Sequence, residues 1–527
     1  MAVAPLTSSG GSFFSVAPDS IFSPESFGSD EKLMISEAEK FSRNEILTQV
    51  EALDHQEDGL MPKLVRKAGE IGFCGVDAPA EYGGLGMGKN LSARILEYLS
   101  LNASFSVTFG VTSGISVFGL IAFGTEEQKR QYLPKLTSGE WIGAYALSEP
   151  NSGSDALSAT TRAELKNGKW VLNGTKMWIS NAKWADFFLV MAKIDGEKFS
   201  AFIVEKSHPG VSISREEHKM GLKGSSTARL VLEDAQIPEE NLLYEPGLGH
   251  HVAFNALNIG RFKLAAMSMG PARNAMELGA TYSQDRKQFG RSIGEFGLIR
   301  KKFAESAARF FAAESAIYRT GALIDEAFDS YAHDMPGMRR AAEEYAMECS
   351  ACKVLATEAE AVIVDEMLQC YGGYGFTEEF PIARHYRDAR VSKIYEGTNE
   401  INRVFLADRL RRRAQEGRCS LVSAGDSFIS DLAGKAMQHE PKGQVQLGSQ
   451  SDLVMLSYAE QSARIRAKQV GGVAIDLHHA FVNWANIEAA RAFAIVTDTS
   501  AGHIPHPHPI DLDSLGYQTL QKGGPLL

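Results

Sequence analysis

The chain has 527 residues, enough at roughly 150 per domain for about three or four domains and for a large core around an enclosed ligand site. Its 44% hydrophobic, 9% aromatic and 23% charged residues match an ordinary globular chain and exclude a fibrous, collagen-like or wholly disordered one. The formal net charge of -11 has the wrong sign for general attraction to phosphate backbones and argues against nucleic acid as a partner.

The opening residues, MAVAPLTSSGGSFFSVAP, carry no basic side chain and no sustained apolar run, so neither a secretory signal nor an Arg-rich transit peptide is visible. Five cysteines, at 74, 349, 352, 370 and 419, form no dense framework, and a reducing, cytoplasmic location is expected. From about Asp30 to Leu136 apolar residues recur at helical spacing, as in EKLMISEAEKFSRNEIL and LMPKLVRKAGEIGF. PAEYGGLGMGKN interrupts them; Lys89 stands where the third glycine of G-x-G-x-x-G would be, so this is read as a turn. The stretch from Tyr98 to Thr125 is uncharged and long enough to cross a bilayer. Its Ser, Thr and Asn content and its glycines at 110, 114 and 119 suit a buried core segment better.

From Trp141 the period becomes that of strands. KWVLNGTKMWIS places Asn173-Gly174 between two extended runs, FFLVMAKIDGEKFSAFIVEK does the same with Asp195-Gly196, and both predict hairpins. ARLVLEDAQIP reads as a further strand ended by Pro238. After Gly249 three amphipathic runs, about 254–283, 298–328 and 338–371, predict a helical bundle. Beyond Arg413 a polar linker, EPKGQVQLGSQSD, leads to two more helices, about 453–469 and 475–497, and a tail containing Pro, His and Gly. The expected fold is mostly α with a central β domain. Its parts are an N-terminal segment (1–29), a helical domain (30–140), a middle β domain (141–245), a helical bundle (246–413) and a helical C-terminal extension (414–527). Without strand and helix alternation it is not a doubly wound Rossmann protein.

Five segments concentrate chemistry. Tyr145 to Ala156 (YALSEPNSGSDA) is rich in hydroxyls and hydrogen-bonding groups, although a solvent-exposed turn explains it as well. KMWISNA ends a strand with Trp178, Ser180 and Asn181, where a tryptophan is more commonly core. DRKQFG (285–290) and QCYGGYGF (369–376) close bundle helices, and KIYEGTNEINR (393–403) follows RHYRDAR. Together, in this order around a β domain, these segments resemble the signatures of the acyl-CoA dehydrogenase family of flavoproteins over roughly residues 20 to 415. ISN where most relatives have ITN, MGLKGSSTA at 220–228, LNIGRFKLAA at 257–266 and the C-terminal extension resemble the very-long-chain branch most.

The resemblance implies an FAD enzyme that converts long-chain acyl-CoA to trans-2-enoyl-CoA in β-oxidation. Glu396, in YEGT, would abstract the α proton and flavin N5 would take the β hydride, because ordinary side chains cannot accept hydride. Some relatives carry the base at the position of Gly260, which cannot serve, and this favours Glu396. By the same resemblance Tyr145, Leu147, Ser148, Gly153, Ser154, Trp178, Ile179 and Ser180 surround the isoalloxazine. Arg286, Gln369, Gly372, Gly373, Thr398 and Asn399 would bind the remainder of FAD, in part across a subunit boundary. Ser154, Asn258, Arg261 and Tyr395 would line the CoA and thioester path, and Gly110 and Gly114 would deepen the acyl tunnel. Electrons would pass to an electron-transfer flavoprotein, and the branch implies a homodimer with peripheral membrane contact at most. An acyl-CoA oxidase and a non-enzymatic scaffold are the alternatives.

No metal is expected. His503, His506 and His508 alternate with proline and make a poor preorganised site. Cys349 and Cys352 are read as buried small residues, and the arginines at 409, 411, 412, 413 and 418 as a solvated helix end.

Overall fold

The computed structural model describes residues 8–331, 334–505 and 507–527; His506 lies outside them. The chain is mostly α with one eight-stranded sheet at its centre. It gathers into two compact units, one of Ser29–Lys263 with Tyr331–Glu343, the other of Met1–Gly28, Leu264–Ser330 and Glu344–Leu527. The helix Gly249–Asp285 gives its first part to the former and its second to the latter.

In the first unit the uncharged stretch folds as helices Ala103–Gly110 and Val117–Phe123 joined by a π-helical turn, Val111–Ser116. Its most apolar window is 94% buried. Hydroxyls survive there because Thr112 and Ser113 donate to the carbonyls of Thr108 and Phe109, four residues back, at 2.9 and 3.0 Å.

The sheet comprises β1 (Gly143–Ala146), β2 (Arg162–Lys166), β3 (Lys169–Ser180), β4 (Phe187–Ile194), β5 (Lys198–Glu205), β6 (Val211–Ile213), β7 (Thr227–Pro238) and β8 (Leu242–Leu243). Its order is β6-β7-β3-β2-β4-β5-β8, with β1 also paired to β4. The apolar run FFLVMAKI makes β4 an interior strand, parallel to β1 and β2 and antiparallel to β5. The turn at Asp195-Gly196 joins β4 to β5 as expected, with φ of 54° and 78°. Asn173-Gly174 is not a turn. β3 runs straight through it, and the β2–β3 reversal falls at Asn167-Gly168, with φ of 52° and 72°. The pairing with β7 slips between Leu172 and Gly174, so the second Asn-Gly faces a bulge in β7, where Glu233 and Asp234 oppose Asn173, and a side chain at Gly174 would run into Thr161.

In the second unit the expected run 338–371 is broken at Tyr345 into Met335–Glu344, nearly all of which belongs to the first unit, and Ala346–Tyr371. The helices Pro381–Ala389, Asn399–Gln415, Phe428–Met437 and Leu512–Lys522 were not individually legible. The expected polar linker is largely the start of the helix Gln444–Val470. Its polar residues face inward because they are paired: Gln450 Nε2 donates to the carbonyls of Ala436 and His439, both at 2.8 Å.

The N-terminal segment and the C-terminal extension are likewise not separate bodies. Phe13 packs on Tyr458 with ring centroids 4.5 Å apart, and Gln469 hydrogen-bonds both backbone groups of Ile21 at 3.1 Å. The arginines are only in part a solvated helix end: Arg412 and Arg418 are exposed, but Arg413 is 1% exposed and pairs with Glu344 at 2.9 Å, Arg418 reaches the same carboxylate at 2.7 Å, and Arg411 bonds Gln450 at 3.1 Å. Cys349 and Cys352 are buried, and burial pushes the Cys352 thiol up to about 12.

Candidate active site

The candidate residues fall into two groups, one in each unit. In the first, the loop after β1 and the end of β3 are fastened together. Lys176 is fully buried, in phase with Trp170 and Leu172 on the inner face of β3, and its Nζ lies 2.7 Å from Glu149 Oε1 and 3.2 Å from the Leu147 carbonyl. Glu149 also accepts from the backbone and hydroxyl of Thr160 (2.6 and 2.9 Å) and of Thr161 (3.0 and 2.6 Å). Burial would raise its pKa, but the Lys176 ammonium and these donors outweigh that and hold it at about 2. Met177 N donates to Ser148 O at 2.8 Å, completing the seam.

Immediately beyond, the β3–β7 register slips again between Lys176 and Ile179. Trp178 takes φ 61° and turns outward, 57% exposed, instead of packing in the core. Asn181 follows at φ 68°, fully buried, its Nδ2 donating to Thr108 O (3.0 Å) and Gly143 O (2.8 Å). Such conformations persist only where the surroundings over-determine them. The outcome is an exposed aromatic face with Ser180 beside it, while Gly153 and Ser154 lie exposed in the loop after β1. Tyr145 Oη donates to the Ala253 carbonyl at 3.3 Å, tying β1 to the helix that carries Asn258 and Arg261. Those two are buried and adjacent, Arg261 Nη1 to Asn258 Oδ1 at 3.4 Å.

A Cβ at Gly114 would lie 3.2 Å from Lys263 Cδ, and the Lys263 ammonium is 3.1 Å from Asp77, which Lys89 also meets at 2.9 Å. Burial opposes ionisation of Asp77, yet the two ammonium groups hold its carboxyl well below the usual range.

In the second unit Gln369, Gly372 and Gly373 lie exposed at the end of the helix Ala346–Tyr371, with Gly372 at φ 58°. Arg286 sits over the Tyr374 ring at 5.4 Å, and Phe289 and Phe376 are 92% and 91% exposed. Glu396 and Gly397 both take positive φ, 55° and 82°, in the turn that enters the helix Asn399–Gln415, and Glu396 Oε2 is buried. The turn is pinned from both sides: Gly397 O accepts from Lys353 Nζ at 3.0 Å and from Asn402 Nδ2 at 2.8 Å. Thr398 caps the helix, its hydroxyl accepting from Ile401 N at 3.3 Å. Asn399 was expected at the cofactor, but its side chain is buried and committed to Lys353 (2.6 Å), Thr357 (3.1 Å) and Glu358 (3.1 Å), so it fixes the turn.

Sequence reasoning missed the buried pair of Lys176 and Glu149. The available signal was a lysine in phase with the buried face of a strand, which can only be buried if paired. Among the described residues no group of three or more His, Cys, Asp or Glu side chains is arranged to hold a metal.

Comparison with known proteins matches the chain domain by domain. The family described as acyl-CoA dehydrogenase matches through its N-terminal domain over residues 28–140, its middle domain over 144–235 and its C-terminal domain over 247–411. A probable acyl-CoA dehydrogenase of Bacillus subtilis is 44% identical over 440 residues, 82% of this chain and 74% of that protein. A very long-chain specific mitochondrial acyl-CoA dehydrogenase of Macaca fascicularis is 38% identical over 350 residues, 64% of this chain and 51% of that protein. The crystal structure of an acyl-CoA dehydrogenase complexed with FAD from Bacillus anthracis superposes with a TM-score of 0.91 at 39% identity, covering 98% of this chain and 100% of that one. With a site of this construction and matches along all three domains, the chain belongs to the acyl-CoA dehydrogenase family.

Proposed function

We propose that the protein binds FAD and dehydrogenates long-chain acyl-CoA to the trans-2-enoyl-CoA, with Glu396 as the base. The observation that carries this reading is the Glu396 turn, a carboxylate held in a positive-φ conformation by Lys353 and Asn402 with one oxygen buried. A base that removes a weakly acidic α proton needs such fixed placement, worth more than its intrinsic basicity.

The first unit fits FAD. Trp178 offers an exposed aromatic face on a rigid bulge, and the Lys176–Glu149 seam holds the Leu147–Ser148 backbone against the same strand end. Tyr145, Leu147, Ser148, Gly153, Ser154, Trp178, Ile179 and Ser180 would hold the ring system. Arg286, Gln369, Gly372, Gly373 and Thr398 would reach the phosphates and adenosine. When bound, the flavin supplies the hydride acceptor that the side chains lack. The protein's own part is to hold the Glu396 carboxylate in its fixed turn, and Ser154, Asn258, Arg261 and Tyr395 would orient the thioester.

Exposed Phe289 and Phe376 beside Arg286 suit a contact with a second copy, and a homodimer that shares its cofactor sites is part of this reading. So are a cytoplasmic location and electron delivery to an electron-transfer flavoprotein. The test is anaerobic titration of the FAD-loaded protein with saturated acyl-CoAs from butyryl to eicosanoyl, following loss of flavin absorbance. Bleaching by the longer chains is expected, and none by any chain overturns the assignment. Rapid reoxidation of the bleached protein by oxygen would make it an oxidase.

A further inference from the structure

Lys353, which holds the Glu396 turn by the Gly397 carbonyl, is itself the last member of a run of contacts that starts in the C-terminal extension. Asn399 Oδ1 accepts from Lys353 Nζ at 2.6 Å, while Asn399 Nδ2 donates to Glu358 Oε1 at 3.1 Å. The direction of that amide is fixed by its two ends, because an ammonium group can only donate and a carboxylate only accept. Glu358 Oε1 takes a second donor, Arg403 Nη1 at 2.8 Å, and Glu358 Oε2 takes Arg403 Nη2 at 2.9 Å, a fork that fixes the plane of the carboxylate. The remaining edge of the same guanidinium, Nε, donates to Asp452 Oδ1 at 2.7 Å. Asp452 belongs to the helix Gln444–Val470, and its neighbour Ser451 donates to the Arg403 carbonyl, so the extension grips Arg403 by side chain and backbone together.

Lys353 and Glu358 stand on the helix Ala346–Tyr371, and Asn399 and Arg403 stand one turn apart on the helix Asn399–Gln415. Three helices of the second unit are thus joined by one unbroken path, from Asp452 through Arg403, Glu358, Asn399 and Lys353 to Gly397, with every contact between 2.6 and 3.1 Å. Each joint is directional, and only an arginine can hold two carboxylates on fixed edges of one plane. We propose that Asp452, although it lies in the extension, is a positioning residue for the Glu396 turn: by locking the Arg403 guanidinium it sets the Glu358 carboxylate and the Asn399 amide that aim Lys353 at Gly397. This rests on Glu396 being the base. The extension is on this account a working part of the proton-abstracting site.

The side chains of Asp452 and Glu358 are 36% and 42% exposed, so their pairing with Arg403 adds little to global stability. Asp452→Ala is therefore expected to keep the wild-type urea midpoint and to act at the turn. In hydrogen exchange of the FAD-loaded protein followed by mass spectrometry, peptides covering residues 393–403 should exchange faster in Asp452→Ala. Asp452→Asn, which keeps an acceptor for Arg403 Nε, should restore most of the protection. In steady-state kinetics kcat should fall about ten- to a hundredfold in Asp452→Ala with KM unchanged, the mark of a displaced base. Asn399→Ala should lose at least as much, and Asp452→Ala combined with Asn399→Ala should lose no more than Asn399→Ala alone, because both cuts fall on one path. Unchanged exchange over 393–403 in Asp452→Ala, faster exchange spread over the whole second unit, a raised KM with kcat kept, or losses that multiply in the double variant would each overturn the proposal. Full activity of Glu396→Gln with the exchange result intact would instead remove the base assignment and leave the hold of Asp452 on the turn standing. Should Asp452→Ala fail to fold, Arg403→Lys, which keeps the charge without the fork, is expected to loosen the same peptides, and their unchanged exchange overturns the proposal equally.

Discussion

Removing the Lys176 ammonium strands the Glu149 carboxylate in the interior with only the Thr160 and Thr161 donors. Lys176→Met is therefore expected to destabilise the protein by about 3–5 kcal/mol in urea denaturation, the usual result of breaking a buried pair. The double replacement Lys176→Met with Glu149→Leu should recover most of that loss in stability while FAD retention stays impaired, because the seam to Leu147 and Ser148 is not restored. Glu396→Gln should fold normally and bind acyl-CoA, yet slow flavin reduction by about 10²–10⁴-fold in stopped-flow absorbance. Glu360, buried in the helix Ala346–Tyr371, gives a pH signature. Its folded pKa of about 8 lies above the ordinary 4.5, so its contribution to stability is full below 4.5 and is lost as pH rises through 8. The difference in Tm between Glu360→Gln and wild type should accordingly grow in favour of glutamine from pH 5 to pH 8.

At the scale of elements, β3 shows what the sequence could and could not disclose. Its strand character was readable from KWVLNGTKMWIS, but two Asn-Gly pairs stand six residues apart and local propensity does not say which one turns. Pairing decided it: only a reversal at Asn167-Gly168 lets Ala163 face Leu172 and Leu165 face Trp170. The extra β7 residue opposite Asn173 and the close approach of Thr161 to Gly174 both involve neighbours invisible to any local window. Gly174→Ala should consequently lower stability, seen as a reduced urea midpoint, whereas Gly168→Ala acts only through backbone strain at φ 72°. The resemblance located the Glu396 turn, the Trp178 strand end and the loop after β1. It could not show that Trp178 is exposed or that Asn399 is consumed by Lys353, because both depend on long-range packing. Nor could it show that Gly114 packs against the Lys263 stem, since Lys263 lies far along the chain and no periodicity announces where a lysine stem will rest.

For the molecule as a whole, the second unit is stitched by Arg466, which is fully buried. Its guanidinium bonds Glu25 at 2.6 and 3.1 Å and Glu314 at 2.8 Å, while Glu314 also meets Arg273 at 3.2 Å. Four distant parts of the chain thus share one charge network. Glu314→Ala, leaving two guanidinium groups in the interior, should cost about 3–5 kcal/mol in denaturant unfolding. Light scattering of the FAD-loaded protein should give the mass of a dimer, and substituting Phe289 and Phe376 by serine should shift it towards the monomer. That network also has a bearing on biosynthesis. Phe13, Phe14 and Glu25 leave the ribosome more than four hundred residues before Tyr458 and Arg466. At about 5–20 residues per second the N-terminal segment stands unsheltered for roughly 20 to 90 seconds. During that interval its phenylalanines are open to chaperones and proteases, and nascent chains halted before Arg466 should be cleaved within the first thirty residues.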